Sequence, residues 1–129
     1  SWISGDLTPE EFVPVELEIP APSISAEMTE KPSGDIKKEA SLSFICTDTT
    51  GNGSGYNRKF LWYINGVQVL ETTSATNIST FDSSCFDNPN TFTSYFSEIG
   101  RYEVRCEIVY YTANISYIGG ASASFNIIP

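Results

Sequence analysis

The sequence predicts an all-β fold, two antiparallel sheets packed around one core, and three observations carry that prediction. First, three segments share one inward phase: Leu42, Phe44 and Cys46 in "SLSFIC", Phe60, Trp62 and Ile64 in "FLWYING", and Tyr102, Val104, Cys106 and Ile108 in "GRYEVRCEI". Apolar residues at every second position mark half-buried strands. Second, Asn65-Gly66 closes the middle segment, and this dipeptide is the one most favoured in two-residue hairpin turns. Third, aromatic residues make up 13% of the chain and Ser and Thr number about thirty, a balance that suits pleated surfaces better than helices. No segment carries the spacing of a convincing amphipathic helix.

A chain of 129 residues is long enough for one domain with its own core, and the elements divide it in two. Residues 1–20 form an acidic N-terminal extension or donor strand. Val13, Val15, Leu17 and Ile19 alternate with Pro14, Glu16 and Glu18, a half-buried strand pattern interrupted by Pro14, which suits a sheet edge or a strand lying against something else. Asp6, Glu10, Glu11, Glu16 and Glu18 stand there without a single basic residue, more than half of the net charge of -9. Two readings of that charge stay open, a solvated tail and an acidic strand seeking a partner. The sandwich itself is expected over residues 21–129.

Within it the first strand is placed at residues 23–28, after "PAP". "EKPSGDIKK" reads as a turn, and a second strand covers residues 39–48. The glycine-rich "TTGNGSGYNRK" is a loop before the strand at residues 59–64. Beyond the Asn65-Gly66 turn, Val67, Val69 and Leu70 return as its partner. A short strand is expected at residues 77–81, a turn at "DNPN", and a strand at residues 91–96. In "FTSYFSEIGRYEVRC" a glycine corner then leads into a long strand over residues 100–111. Gly119-Gly120 reads as a turn before the last strand, residues 121–128. The total is seven to eight strands with one extended N-terminal strand.

Cys46, Trp62 and Cys106 therefore converge in one core, the signature of an immunoglobulin-like sandwich. Because the cysteines share the inward phase, Cys46 is paired with Cys106, with Trp62 packed against the bridge. Closing a loop of about 60 residues stabilises the fold by about 4 kcal/mol on the chain-entropy account. Cys85 is left over: it is free, bridges two chains, or takes one of the other two. A persistent bridge implies an oxidising compartment.

The order "PAPSISAE", "ASLSFICT", "FLWYING", "YFSEIGRYEV" resembles the polycystic-kidney-disease (PKD) type domain and its bacterial and archaeal immunoglobulin-like relatives, over roughly residues 21–128. Two departures stand out. Asn65-Gly66-Val67 replaces that family's Gly-Asp-Gly turn, and the cysteine pair is more typical of the immunoglobulin superfamily proper. The resemblance implies an extracellular module that spaces, stiffens or presents parts of surface proteins, sometimes binds protein or carbohydrate, and is rarely catalytic.

Chemistry is narrowed by what the chain lacks. It has no histidine, which removes His-activated nucleophiles and the commonest metal ligand together. Three cysteines without a CxxC spacing make a poor zinc site. Asp82 and Asp87 flank Cys85 near Asn88 and Asn90, yet they lack the spacing of a dedicated calcium loop. "GNGSG" is followed by no GK[ST] and leads into a strand, unlike a phosphate loop. The expectation is no metal, no cofactor and no enzyme. With 7 basic against 16 acidic residues nucleic acid is not an expected partner, and no apolar run reaches the roughly 20 residues of a membrane-inserting helix. The first residues lack the basic and apolar regions of a signal peptide, as expected of a mature form.

Asn52, Asn77 and Asn114 each open an Asn-x-Ser sequon in or beside a predicted loop and are expected glycan acceptors. Tyr56, Tyr63, Tyr95, Tyr110, Tyr111 and Tyr117 either form an aromatic surface for sugar or protein or simply pack between strands. The function that follows is a non-enzymatic extracellular or cell-surface structural protein, a subunit of a surface filament, surface array or virion surface assembled by N-terminal strand donation. Its partners are then copies of itself or neighbouring surface-protein domains. The alternative is an adhesin-like or carbohydrate-binding module of a larger surface protein, with glycans as partners.

Overall fold

Alternating apolar residues bounded by Gly, Pro and Asn build eight strands among the residues that the computed structural model describes, 21–51 and 53–129. In chain order they are β1 (Ala26–Glu30), β2 (Gly34–Lys37), β3 (Phe44–Asp48), β4 (Asn57–Ile64), β5 (Val67–Thr72), β6 (Ile78–Phe81), β7 (Gly100–Tyr111) and β8 (Ser116–Ile128). A single 3-10 turn (Ser83–Cys85) and one short α-helix, α1 (Pro89–Ser94), lie between β6 and β7. Two sheets result, ordered β1-β3-β6 and β2-β8-β7-β4-β5. All pairings are antiparallel except that of β2 with β8. This is an immunoglobulin-like sandwich, as the inward phases predict.

The predicted inward set is the core. Phe44, Cys46, Phe60, Trp62, Val104, Cys106 and Ile108 have no exposed surface. Aromatic rings carry much of the packing: Phe44 lies within 6.3 Å of the rings of Trp62, Phe81, Phe96 and Phe125, centroid to centroid. Phe81 stacks on Trp62 at 5.1 Å and meets Phe92 edge-on at 4.9 Å. Offset and edge-to-face pairs of this kind each add about 0.5–1.5 kcal/mol beyond the area they bury. The β4–β5 hairpin turns through Asn65 and Gly66 at φ 49° and 85°, the two positive values that the primed turn demands. At the start of β7 the Tyr102 hydroxyl donates to the Glu98 carbonyl at 2.7 Å, fixing the corner as a tyrosine does in this fold.

Four elements differ from the sequence reading. Residues 91–96 are not a strand: residues 91–94 belong to α1, which starts at Pro89 because Asn88 caps it, its side chain accepting from the Asn90 N–H at 2.9 Å, and Pro89 presets the first helical φ. Phe92 and Phe96, four apart, both point into the core. "EKPSGDIKK" holds more than a turn, since Gly34 at φ 70° carries the chain across to the second sheet, where β2 pairs in parallel with the end of β8. β3 begins at Phe44 rather than at residue 39 because Glu39 is left-handed, φ 73°, and breaks the extended run.

Gly119-Gly120, finally, is inside β8 rather than a turn. The β7–β8 turn comes earlier, closed by Thr112 N–H to the Ile115 carbonyl at 2.8 Å. Both glycines answer to close approach: a Cβ at Gly119 would stand 2.7 Å from the Ile24 side chain, and one at Gly120 would stand 2.2 Å from the Cys106 carbonyl. The sandwich thus has a turn end, where Ile24 crosses β8, and a helix end, where α1, the start of β7 and the end of β8 meet.

Candidate functional site

Three regions hold the side chains that could act. The first is the pair of core thiols. β3 and β7 carry Cys46 and Cys106 from opposite sheets into contact, and Trp62 stands beside Cys106 in the β4–β7 register. Both are free thiols in the structure. The Cys46 contact and burial together push the Cys106 thiol far up, so it stays protonated. The Trp62 indole N–H donates to the Ser79 hydroxyl at 2.9 Å, which satisfies the buried indole's polar group. Cys85 sits apart on the turn after β6, partly exposed, its thiol donating to the Thr80 carbonyl.

The second region is a polar network at the turn end. Asp48, at the end of β3, has a side chain only 1% exposed and is met by the Arg58 guanidinium at 2.9 Å, by the Thr50 N–H at 2.9 Å and by the Tyr110 hydroxyl. Burial alone would raise the Asp48 pKa, but hydrogen bonds from Thr50, Tyr110 and Arg58 outweigh it and hold the carboxyl below the ordinary 3.8. Tyr110 is pushed the other way, by burial and by its bond to that carboxylate. Beside this network opens a cavity of about 580 Å³, lined by Tyr56, Arg58, Thr73, Ser74, Tyr110 and Tyr111 among others.

The third is a cleft of about 460 Å³ at the helix end, between residues 38–42 and α1. Leu42, Phe92, Phe96 and Ile127 line it together with polar residues that include Lys38, Glu39 and Ser94. Among the described residues, Ser41 and Leu42 make no backbone hydrogen bond, because β1 has left β3 by then and β6 has turned away into α1.

The residues singled out by the sequence fall unevenly across these regions. Val13, Val15, Leu17, Ile19 and Asn52 lie outside the described residues. Asn114 is exposed on the β7–β8 turn. Asn77 is exposed too, but its side-chain amide donates to the Asp48 carbonyl at 3.2 Å and its sequon serine is the buried Ser79 that holds Trp62. The tyrosines do not make one surface. Tyr56 packs with Tyr110 and Tyr117, Tyr95 packs on Phe86, and Lys59 lies over Tyr111. The Asp48–Arg58–Tyr110 network escaped the sequence reading because its members, 10 and 62 positions from Asp48, meet only through strand pairing.

Strand order, the aromatic core and the tyrosine corner define the class of this chain as an immunoglobulin-like β-sandwich. Neither a protein-family model nor a curated protein sequence matches it. Among solved structures it is similar to the major subunit of aggregative adherence fimbriae type I from Escherichia coli, with 11% identity over 85% of this chain and 96% of that one, at a TM-score of 0.36. Among the described residues no helix is long and apolar enough to cross a membrane, and no group of three or more Cys, Asp and Glu could hold a metal.

Proposed function

We propose that this chain is a non-enzymatic structural subunit of an extracellular or cell-surface assembly, joined to neighbouring copies by residues 13–19. One observation carries the reading. A segment alternating Val13, Val15, Leu17 and Ile19 precedes a sandwich whose pairing is incomplete among the described residues: β1, β6, β2 and β5 are each paired on one side only, and the backbone of Ser41 and Leu42, leading into β3, pairs with nothing. Open edges invite pairing with another chain, and a half-buried donor covers them. Four apolar side chains at about 1.5–3 kcal/mol each supply about 6–12 kcal/mol before ordering costs.

Deleting residues 1–20 is expected to abolish concentration-dependent assembly, read by light scattering and electron microscopy, and to leave a folded monomer. Polymers formed by the truncated chain, or a full-length chain monomeric at high concentration, would refute the reading. The polycystic-kidney-disease type likeness fits such a module, and a glycan on the exposed Asn114 would fit its surface.

Oxidation of Cys46 and Cys106 to an inter-sheet disulfide belongs to the same proposal, supported by their contact in the core. Peptide mapping of non-reduced protein is expected to recover that pair, and a bridge from Cys85 to either would overturn it. Losing the bridge is expected to cost about 4 kcal/mol.

A second reading, a carbohydrate-binding module, is favoured by the turn-end cavity with Tyr56, Tyr110 and Tyr111 on its wall. Saturable glycan binding by a monomer would select it.

A further inference from the structure

We infer that the cleft at the helix end is the seat for residues 13–19 of the next copy, so that subunits join head to tail. The inference rests on the strand-donation reading above and adds the site that receives the strand.

Reach argues for a second copy over the chain's own N-terminus. The chain enters the sandwich at the turn end, where Ile24 packs on Gly119. The cleft residue Ile127 lies eight positions farther along β8, about 26 Å away at the rise of a strand. Ile19 is five positions before Ile24 and reaches at most about 18 Å from it when fully extended. The same copy can therefore bring at most Val13 and Val15, at the far end of the segment, as far as Ile127, and neither Leu17 nor Ile19, whereas a neighbour stacked with its turn end on this helix end can bring in all four side chains. Contacts of this heterologous kind propagate into open filaments when the rotation between copies does not close a ring.

The cleft also offers what a donor strand needs. Its apolar members Leu42, Phe92, Phe96 and Ile127 can receive alternate side chains. The backbone of Ser41 and Leu42, which pairs with nothing among the described residues, can take main-chain hydrogen bonds as a continuation of β3. Charge agrees in sign. Lys31, Lys37 and Lys38 are three of the seven basic residues of the chain and fall in or beside the segment that leads to the cleft, with Lys38 on its wall. Glu39 shares that wall, so the attraction for Glu16 and Glu18 depends on the lysine pair. Opposed patches of this kind act chiefly on encounter rate and register.

The test uses the full-length chain with a photoreactive benzoyl-phenylalanine in place of Thr93, an exposed residue on the cleft side of α1. Irradiation of the assembled protein is expected to yield an intermolecular crosslink to a peptide from residues 10–20. A crosslink within one chain, or to any other segment, overturns the seat. Independently, Lys37→Glu with Lys38→Glu is expected to raise the concentration needed for assembly at least tenfold at low salt. Adding Glu16→Lys and Glu18→Lys is expected to restore it, and failure of that rescue counts against the seat. If deletion of residues 1–20 abolishes assembly while both cleft tests fail, strand donation stands and only this seat falls. If the deletion leaves assembly intact, both fall.

Discussion

Phe81→Ala is expected to lower the free energy of unfolding by about 3–5 kcal/mol, the usual range for emptying a buried aromatic site. Phe81 is fully buried on β6 and its ring meets Phe44, Trp62, Phe86 and Phe92, so the cavity would open between both sheets and α1. These neighbours are held by four different elements or turns and cannot all move inward together. Urea titration followed by Trp62 fluorescence should show the midpoint fall with little change in slope. Val67→Ala, at a side chain 65% exposed, serves as the control and should stay within about 0.5 kcal/mol of the parent. A loss below about 1.5 kcal/mol at Phe81 would mean that α1 collapses into the space.

Asp48→Ala is the second large effect, a loss of about 3 kcal/mol near neutral pH. It strips the ionic partner from Arg58, which keeps its hydrogen bond to the Thr76 carbonyl, and leaves the Thr50 N–H and the Tyr110 hydroxyl without their acceptor. The lower end of the range for broken buried pairs applies because the Arg58 side chain keeps 22% of its surface in water. The pH dependence follows from the direction of the Asp48 shift. A folded-state pKa below 3.8 means that the carboxylate stabilises the fold above that value, and that this contribution disappears as pH falls through the lower, folded-state pKa. The stability gap between parent and Asp48→Ala should therefore be full at pH 6 and shrink below pH 3.8. A gap that is flat across that window would show that Asp48 acts by packing alone.

What could be read from the sequence was set by which contacts lie along one strand. Phe44 and Cys46, Phe60 and Trp62, and Val104 and Cys106 announce their burial two positions at a time, and the core follows. The turn at Asn65-Gly66 was equally plain, because no other pair of side chains takes two positive φ values so readily. α1 was not: Phe92 and Phe96 are four apart, a spacing that fits both periods, and "DNPN" serves as turn signal and helix cap alike. β2 offers a single half-buried apolar residue, Ile36, over four positions and pairs in parallel, so alternation had nothing to show. Gly119-Gly120 imitates a turn because the reason for it, the crossing Ile24, lies 95 positions away. Both end regions, the Asp48 network and the cleft, are assembled from segments that only the topology brings together.

The strands run from the end where the chain enters to the end where the cleft opens, and this geometry has a mechanical meaning. A pull between those two ends would run parallel to β7 and β8, whose 12 residue pairs are held by hydrogen bonds lying across the line of force. Bonds loaded in that way share the tension and must yield together, whereas a hairpin opened from its tip gives way one rung at a time. Resistance to such a pull is governed by the rate of crossing the unfolding barrier rather than by equilibrium stability. A bridge between Cys46 and Cys106 would then act as a stop, because the two sheets could slide only as far as that link allows.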